Sequence, residues 1–396
     1  MNKISEYLFN NFIDDLSLLK KIKKEKYLDY FYDEIKKHID KKHKLLSKNN
    51  KKISSLKDFN STELLMSNFS NKDAVRYINE NVKSHSVYVV KMSGIKVTIN
   101  FLHFDNKTTI PKLKYVLGAM SLLLSYSNLK IKSLIVNLYL TKVYKMLPDN
   151  PVITLSQNNC NSAVTYSCSE YGELLVFREE EWFKVMMHEL CHSLCLDFSR
   201  MKVENSKINK NLNKLFGIKL NMNVSEMYCE YWATILNSCF KGYKLLEDKS
   251  DIKNFRLYSN TCINLEKLYS IYQLVKILDY MGLRYEDLVL KNRMNKTLYK
   301  ESTNVFCYYI LKSILLYNSN EFVEWCLKHN TLLLNIDKSP NTIHSLFLFI
   351  LSNYKKKGYL NLIKNVEKTL KKDKINLDNN TIYKYKNLRM TMIELN

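Results

Sequence analysis

The amino-acid sequence predicts an α+β fold in which a mixed middle region is flanked by two helical regions. β-rich runs are concentrated in the middle of the chain, and apolar residues recur at helical spacing on both sides of it. The 396 residues also include only 4 Pro and 7 Gly. Because both residue types interrupt regular elements, their scarcity favours long helices joined by polar loops. We therefore expect three regions, at 1–85, 86–260 and 261–396.

In chain order, the N-terminal region is predicted to contain a helix over 3–48, a connector over 46–55 and a shorter helical segment over 62–81. The elements predicted for the middle region are strands 87–91 and 95–104 in a hairpin, helix 112–126, strand 134–141, strands 163–167 and 173–177 joined around Gly172, and helices 179–197 and 224–240. The polar Lys/Asn stretch over 202–214 indicates a surface loop or insertion. Nearly all of the chain beyond residue 262 is predicted to be helical.

The net charge of +22 at pH 7 raises the question of a nucleic-acid partner. Arg supplies only seven of the 61 basic residues, although recognition of phosphates and base edges relies on the bidentate guanidinium. The excess of Lys accompanies an excess of Asn, Ile and Tyr, and all four have A/T-rich codons. A compositional bias of the genome explains the charge, so we expect no specific nucleic-acid partner. A lysine-driven nucleic-acid binder is the weakest alternative, which a steep salt dependence of binding would support.

The cysteine content indicates a reducing compartment. The 9 Cys are odd in number, form no C-x-x-C pair and in several cases lie in apolar runs, so we predict free thiols. Asp14 and Asp15 interrupt the apolar N-terminal stretch, which argues against a signal peptide. The longest apolar runs, at 115–126 and 343–351, are shorter than the ~18 residues of a membrane span. We expect an intracellular, cytoplasmic protein of unknown oligomeric state.

The motif with the clearest chemistry is H-E-x-x-H, formed by His188, Glu189 and His192. On a helix, residues four apart lie on one face with Cβ atoms about 5–6 Å apart, so both imidazoles can reach one metal ion. Zinc accepts such nitrogen ligands at roughly 2.0–2.1 Å. Glu189 is about 100° round the helix from His188, where it can contact a water at the metal without being a ligand itself. The spacing predicts one catalytic Zn²⁺ with Glu189 as general base.

The residues around the motif strengthen this prediction. The predicted helix is apolar almost everywhere else, and an interior helix with His, Glu and His on one face is costly unless a partner satisfies them. A metal ion is such a partner. The alternative is that His188 and His192 are hydrogen-bonded core histidines without a metal.

The sequence around the motif resembles the zincin metallopeptidases, which have uncharged residues around H-E-x-x-H and a hydrophobic residue two positions beyond it. In the metzincin branch a Gly and a third His follow the second His by three and six positions. Those positions hold Cys195 and Phe198 here, which excludes that branch. The gluzincin branch takes its third ligand from a Glu on a later helix. The resemblance thus implies a zincin-like catalytic domain at 86–260.

The segment over 225–233 resembles that later gluzincin helix, which implies Glu226 as the third zinc ligand. Cys229 is then the small residue at which two helices approach, and Glu230 the carboxylate that holds a ligand imidazole by its other nitrogen. Glu replaces the more usual Asp or Asn at this last position, so Glu230 is an alternative ligand. Asn223 and Glu226 could also form a pair resembling a capping box at the start of the helix.

The resemblance implies two further features of the site. The stretch over 161–166 is placed to be the sheet edge that pairs with an extended substrate, although an ordinary paired strand is an alternative. Gluzincins also use a downstream Tyr or His to polarise the scissile carbonyl. The candidates are Tyr308, Tyr309 and His329, each of which could instead be a packing residue.

The chain is similar in general appearance to predicted zinc metallopeptidases of large DNA viruses, which would place it in the host cytoplasm or the virion. We expect it to hydrolyse peptide bonds of a peptide or protein substrate. Cys191 and Cys195, beside the motif, are interpreted as small core residues. The alternative function is a non-catalytic zinc-binding structural or interaction protein on a zincin fold. The intact Glu189 argues against it, since a structural zinc has no use for a general base.

Overall fold

The computed structural model describes residues 10, 26–59, 61–67, 70–105, 110–375 and 385–395. It is a mixed α+β structure, as the sequence predicts. The strands of the described residues are β1 Lys44–Lys52, β2 Ser84–Met92, β3 Ile95–His103, β4 Ser133–Thr141, β5 Ala163–Thr165, β6 Tyr171–Arg178, β7 Asn330–Leu332 and β8 Asn335–Ile336.

Helices supply most of the rest of the described structure. They are α1 Leu28–Asp40, α2 Lys72–Asn81, α3 Ile110–Ser125, α4 Gln157–Cys160, α5 Trp182–Ser193, α6 Lys202–Phe216, α7 Ser225–Leu245, α8 Ile252–Tyr280, α9 Tyr285–Leu290, α10 Asn295–Leu298, α11 Lys312–Tyr317, α12 Ser319–His329, α13 Pro340–Asn353 and α14 Lys357–Ile375. Short 3₁₀ turns cover Leu56–Asp58 and Glu63–Met66, and a π-helical turn over Phe306–Leu311 leads into α11.

Six strands of the described chain form one mixed sheet in the order β1-β2-β3-β4-β6-β5. The central strand β4 runs parallel to both β3 and β6, and the remaining pairs are antiparallel. The apolar run of β4 fits this central position, because a parallel strand in mid-sheet is buried on both faces. The predicted hairpin of β2 and β3 is confirmed. Ser93 and Gly94 both have positive φ, as a type I′ turn requires.

The strand pair β5 and β6 is also confirmed, but Gly172 lies within β6 and not at the turn. A Cβ at Gly172 would come within 2.8 Å of Ser193 Oγ and 2.9 Å of Leu134 Cδ1. The missing side chain therefore lets α5 pack closely against the sheet. Because α5 follows β6 almost directly, this close approach fixes the helix beside the edge strand β5.

The N-terminal prediction is partly wrong. Part of the predicted helix over 3–48 lies outside the described residues, and α1 confirms its later portion. The stretch predicted as helix end and connector is instead strand β1, which pairs with β2. All nine residues of β1 are exposed, so no apolar alternation marks the strand in the sequence. Main-chain pairing with the free edge of β2 determines its conformation. The segment predicted over 62–81 divides into a 3₁₀ turn and α2.

The Lys/Asn stretch predicted as a loop is also a helix, α6. Ile208, Leu212, Leu215 and Phe216 are buried on one face, and the other positions are largely polar. This apolar stripe is too narrow to stand out in so polar a segment. Gly217, with φ of 65°, ends the helix in the left-handed conformation.

The largest cluster of buried apolar side chains extends from Tyr27 to Leu395 and includes side chains of all three predicted regions. The predicted boundary after residue 85 falls within β2, and the boundary after residue 260 falls within α8. The division into three regions stays a prediction. Within the described ranges, no helix combines the length and the apolar character that crossing a bilayer requires.

The long helices α7 and α8 approach each other closely at Gly242. A Cβ built there would lie 2.1 Å from Ser259 Oγ and 2.9 Å from Ser259 N. We expect Gly242→Ala to destabilise the protein by about 1–3 kcal/mol, because the backbone of α8 must shift to make room. Urea unfolding would measure the change. In the control Gly358→Ala, the new Cβ meets only the hydroxyl end of Tyr317, so we expect a smaller loss. Equal effects of the two substitutions would contradict this account.

Candidate metal centre

Helix α5 carries the H-E-x-x-H motif and is buried along its whole length. Glu181 precedes it with a positive φ of 62°, and its carboxylate is buried. This carboxylate accepts hydrogen bonds from the main-chain N–H groups of Met390 and Thr391 and lies 2.9 Å from Lys145 Nζ. The start of the helix is thus fixed to the segment over 385–395.

Three side chains of α5 and α7 converge on one point. His188 Nε2 lies 3.1 Å from His192 Nε2 and 3.0 Å from Glu226 Oε2. His192 Nε2 lies 3.2 Å from the same carboxylate oxygen. The two histidines belong to one face of α5, and Glu226 belongs to the first turn of α7. Packing of these two helices therefore brings the three side chains together.

The chemistry of these atoms fits a cation. Each Nε2 offers a lone pair when its imidazole is neutral, and the carboxylate oxygen is anionic. Two histidines and a carboxylate are a usual ligand set for a catalytic zinc, which leaves a fourth position for water or substrate. His188 and His192 are buried, and buried polar groups of this kind need a partner.

The structure distinguishes the positions of Glu226 and Glu230. Glu230 Oε1 lies 3.0 Å from His188 Nδ1, on the far side of the ring from Glu226. Its two oxygens also lie 2.6 and 2.8 Å from Lys184 Nζ, and Oε2 lies 3.4 Å from Lys312 Nζ. Glu230 therefore contacts the outer nitrogen of His188, and Glu226 faces the inner nitrogens of both histidines. The other oxygen of Glu226 accepts a hydrogen bond of 3.1 Å from Asn223, so this pairing coexists with the histidine contacts.

Asp197 is a site residue that the sequence analysis missed. Its Oδ2 pairs with His192 Nδ1, and it accepts further hydrogen bonds from the main chain and hydroxyl of Ser199. Cys229 Sγ lies 3.6 Å from both His192 Nδ1 and Asp197 Oδ2, between the two helices. The only sequence signal was an acidic residue at the last position of the predicted helix, which is four residues past the end of the observed one. Helical periodicity says nothing about a side chain that turns back after the helix ends.

The electrostatics of the cluster favour positive charge. Burial alone would lower the pKa of His188, but contacts with Glu226 and Glu230 raise its pKa to about 9. Burial likewise opposes the charged form of His192, yet Glu226 and Asp197 raise its pKa well above the usual value. Burial would raise the pKa of Glu226, but the two histidines lower it. The carboxylates thus make the cluster favour positive charge, which is carried by protons on the imidazoles or, once those protons are released, by a bound cation.

Glu189 and Tyr308 line the same cleft as the converging atoms. Burial raises the pKa of Glu189, an effect that His188 and His192 oppose. Tyr308 lies in the π-helical turn, with its ring centroid 6.2 Å from that of His188.

The two other candidates for carbonyl polarisation have different surroundings. Tyr309 is buried and donates a hydrogen bond of 2.6 Å to the carbonyl of Leu388. His329 lies beside the Trp325 ring and is 3.1 Å from Ser345 Oγ. Neither is among the residues that line the cleft.

Strand β5 forms one edge of the sheet and one wall of the cleft. It pairs with β6 on one side, and Ala163, Val164 and Thr165 all line the cleft on the other. Ser162 and Ser167 extend the same wall. The predicted strand is therefore an edge strand of the described sheet, beside the converging nitrogen and carboxylate atoms.

The prediction that all cysteines are free is wrong for two of them. Cys168, in the turn after β5, forms a disulfide with Cys195, just after α5. Cys195 is thus not simply a small core residue, whereas Cys191 is a free, buried thiol like the remaining six cysteines. Neither the odd number of cysteines nor their spacing indicated this disulfide. The two cysteines meet only because the turn between β5 and β6 lies against the end of α5. The main-chain N–H of Cys168 also donates to the carbonyl of His192, at 3.0 Å.

Comparison with known proteins gives a distant relative that is encoded by a virus. The chain is 28% identical over 206 residues to the uncharacterized protein R210 of Acanthamoeba polyphaga mimivirus. The similarity covers 48% of this chain and 50% of the mimivirus protein, so the match spans about half of each. No protein-family model matches the sequence, and no solved structure matches it.

The contact between Asp197 and His192 gives a testable prediction. A carboxylate on the outer nitrogen orients a ligand imidazole and raises its basicity, and removing such a group costs 10- to 100-fold in metal affinity. We expect Asp197→Ala to weaken zinc binding by about this factor, measured by competition with a chromogenic chelator.

Asp197→Asn keeps the shape of the side chain and provides a second variant in case Asp197→Ala folds poorly. Asp149→Asn is the matched control, because the Asp149 side chain is 88% exposed and its ion pair is with Lys386. Unchanged zinc affinity in a folded Asp197 variant would show that this contact does not support the site.

Proposed function

We propose that this protein is a zinc-dependent metallopeptidase of the gluzincin type, built on a zincin-like catalytic domain. The observation that carries the proposal is the convergence of His188 Nε2, His192 Nε2 and Glu226 Oε2 within 3.2 Å of one another, in a cleft that also contains Glu189. A purely structural zinc site would be closed by a fourth protein ligand and would not need an acid beside it.

His188, His192 and Glu226 are the proposed zinc ligands, and Glu230 and Asp197 hold the outer nitrogens of the two imidazoles. When bound, the zinc supplies Lewis acidity to a peptide carbonyl and lowers the pKa of a neighbouring water. We favour Glu226 over Glu230 as the third zinc ligand, because the Glu230 carboxylate already pairs with the ammonium groups of Lys184 and Lys312.

Glu189 is the proposed general base. Its carboxylate takes the proton of the attacking water and then donates it to the nitrogen of the leaving amine. Burial raises the pKa of Glu189 above that of an exposed carboxyl, which brings it closer to the pH at which the proton must be both accepted and released. The adjacent histidines oppose this rise and so keep the carboxylate form accessible.

Tyr308 is the proposed donor to the oxygen of the scissile carbonyl. Its ring lies beside His188 in the cleft, and its hydroxyl is a neutral donor because burial raises its pKa. A donor aimed at the oxygen on which negative charge develops stabilises the transition state more than the ground state.

The edge strand β5 is the proposed site for the substrate main chain. An extended peptide can add to a free sheet edge through its own N–H and C=O groups. A substrate bound along β5 would pass the converging ligand atoms, since Ala163 and Thr165 line the same cleft as His188. The mimivirus relative supports a viral setting, and the host cytoplasm or the virion are the proposed locations.

The first test combines metal content with Glu189→Gln. We expect about one zinc per chain in wild-type protein by elemental analysis, loss of this zinc in His188→Ala, and retention of it in Glu189→Gln. Cleavage of a peptide library should be lost in Glu189→Gln, because the amide cannot accept the proton. Full activity of Glu189→Gln would refute the assignment of the base. Zinc without any cleavage by wild-type protein would favour the non-catalytic alternative.

The second test compares two neighbouring tyrosines. Tyr308→Phe removes only the hydroxyl, and we expect kcat to fall about 10²- to 10³-fold with zinc content unchanged, by analogy with loss of one oxyanion donor. Tyr309→Phe is the control, because the Tyr309 hydroxyl donates a hydrogen bond to the carbonyl of Leu388 and Tyr309 does not line the cleft. We expect this control to lower stability and leave kcat nearly unchanged. Equal kcat in the two variants would remove Tyr308 from the mechanism.

A further inference from the structure

The disulfide between Cys168 and Cys195 connects two sides of the metal centre, and no step of the proposed mechanism uses it. Cys168 lies three residues beyond Thr165, the last residue of the edge strand β5, and Cys195 lies three residues beyond His192. The main-chain N–H groups of both cysteines donate hydrogen bonds to the carbonyl of His192, at 3.0 and 3.1 Å. The disulfide therefore joins the proposed substrate strand to the main chain of a proposed zinc ligand.

The residues that follow Cys195 extend this connection to the side chain of the ligand. Asp197, which pairs with His192 Nδ1, follows Cys195 by two residues. Arg200, in the same stretch, donates a hydrogen bond to the carbonyl of Cys168. The carboxylate that orients His192 thus belongs to a stretch that the disulfide attaches to the turn after β5.

Both cysteines have a backbone conformation that favours opening of the bond. Cys168 has φ of 56° and Cys195 has φ of 58°, in the left-handed region that residues with a side chain rarely adopt. They are two of the five described residues other than glycine that have a positive φ. Such conformations persist only where the surrounding structure holds them, and they are concentrated at functional and switch sites. Cleavage of the disulfide would release both segments towards a relaxed backbone.

The other cysteines indicate that this disulfide is not part of a general framework. The remaining seven cysteines, all of which are described, are buried free thiols. A chain of 396 residues with so extensive a cluster of buried apolar side chains does not need a covalent cross-link in order to fold. In proteins that otherwise keep their thiols reduced, a disulfide is usually transient and catalytic or redox-sensing.

We propose that Cys168 and Cys195 form a site of reversible thiol–disulfide exchange with a dithiol reductant, and that this exchange regulates the metal centre. The inference rests on the proposed metallopeptidase function and specifies how that activity is controlled. The disulfide form holds His192, Asp197 and β5 in the arrangement of the structure and is the form that binds zinc tightly. The dithiol form releases the turn after β5 and the stretch over 195–200, so zinc binds more weakly.

The exchange needs no group other than the reductant. A thiolate of the reductant attacks one sulfur, the S–S bond breaks, and a mixed disulfide forms while the other cysteine leaves as a thiolate and takes up a proton. The second thiol of the reductant then displaces the remaining cysteine, which is also protonated. The protein gains two electrons and two protons, and the reductant becomes an internal disulfide. Ser167 and Glu170 are exposed, so the turn provides the approach to Cys168, which is itself 6% exposed.

Thiol mapping tests whether the exchange takes place in the folded protein. Wild-type protein is incubated with dithiothreitol under native conditions and alkylated, and the modified cysteines are identified by peptide mass spectrometry. We expect Cys168 and Cys195 to be alkylated together, the seven buried thiols to remain largely unmodified, and oxidised dithiothreitol to restore the disulfide. A disulfide that dithiothreitol reduces only after the protein unfolds would overturn the inference.

Zinc affinity tests the control of the metal centre, and it is measured with a competing chromogenic chelator after dithiothreitol has been removed without air. We expect the dithiol form to bind zinc about 10-fold more weakly than the disulfide form, because a group that orients a ligand imidazole is displaced, and reoxidation to restore the affinity. This comparison uses wild-type protein and needs no substitution.

The variant Cys168→Ser/Cys195→Ser should bind zinc as weakly as the dithiol form and should not respond to dithiothreitol. Cys262→Ser is the matched control, because Cys262 is a free thiol that is likewise 6% exposed. We expect this control to keep the full response. If the double variant folds poorly, the comparison of the two wild-type forms still decides the question.

Hydrogen exchange provides a measurement that needs neither zinc nor cleavage. The main-chain N–H groups of Cys168 and Cys195 should exchange faster in the dithiol form, because their hydrogen bonds to the carbonyl of His192 open more often. Equal exchange rates or equal zinc affinities in the two forms would overturn the inference even if the wild-type protein cleaves peptides. Faster exchange in a protein that binds no zinc in either form would support the redox response and refute the metallopeptidase function.

Discussion

The convergence of two imidazole nitrogens and one carboxylate oxygen in the cleft is the constraint on which the rest of the structure depends. His188, His192 and Glu226 approach one another within 3.2 Å, and holding two buried imidazoles and a carboxylate so close requires support from neighbouring polar groups. Glu230 supports His188 through a contact with its outer nitrogen, and Asp197 supports His192 in the same way. Each ring is thus held between two carboxylates, which fixes its orientation and makes the centre attractive to a cation.

The support extends from the centre to a distant part of the chain. Glu230 is itself held by the buried lysines Lys184 and Lys312, and Lys312 also donates a hydrogen bond of 2.8 Å to the carbonyl of Met390. Met390 lines the cleft, and Glu181 at the start of α5 binds its main-chain N–H. The segment over 385–395 is therefore part of the wall of the site. Removing one member of such a buried network leaves an uncompensated charge, which commonly costs 3–5 kcal/mol.

Sequence patterns correctly predicted those helices and strands whose own residues show a clear hydrophobic periodicity or a turn residue. The hairpin of β2 and β3, the central strand β4 and the helices α5 and α7 all have a clear periodicity or turn residue, and all were predicted close to their observed positions. The patterns failed where a neighbour determines the structure. Strand β1 has no buried face and forms by pairing with β2, and α6 has only a narrow apolar stripe. The disulfide between Cys168 and Cys195 links residues 27 positions apart that no local pattern connects.

The sequence by itself determined that His188, Glu189 and His192 share one helical face, because helix geometry relates residues three and four apart without reference to the rest of the chain. Its resemblance to the gluzincin helix also implied Glu226 as the third side chain, with Glu230 as the alternative. Only the tertiary structure placed Glu226 at the inner nitrogens and Glu230 at the outer one, since this depends on how α7 packs against α5. The contact of Asp197 and the position of Tyr308 in the cleft likewise depend on long-range packing. Distances between elements are set by the core as a whole, and no local pattern in the sequence records them.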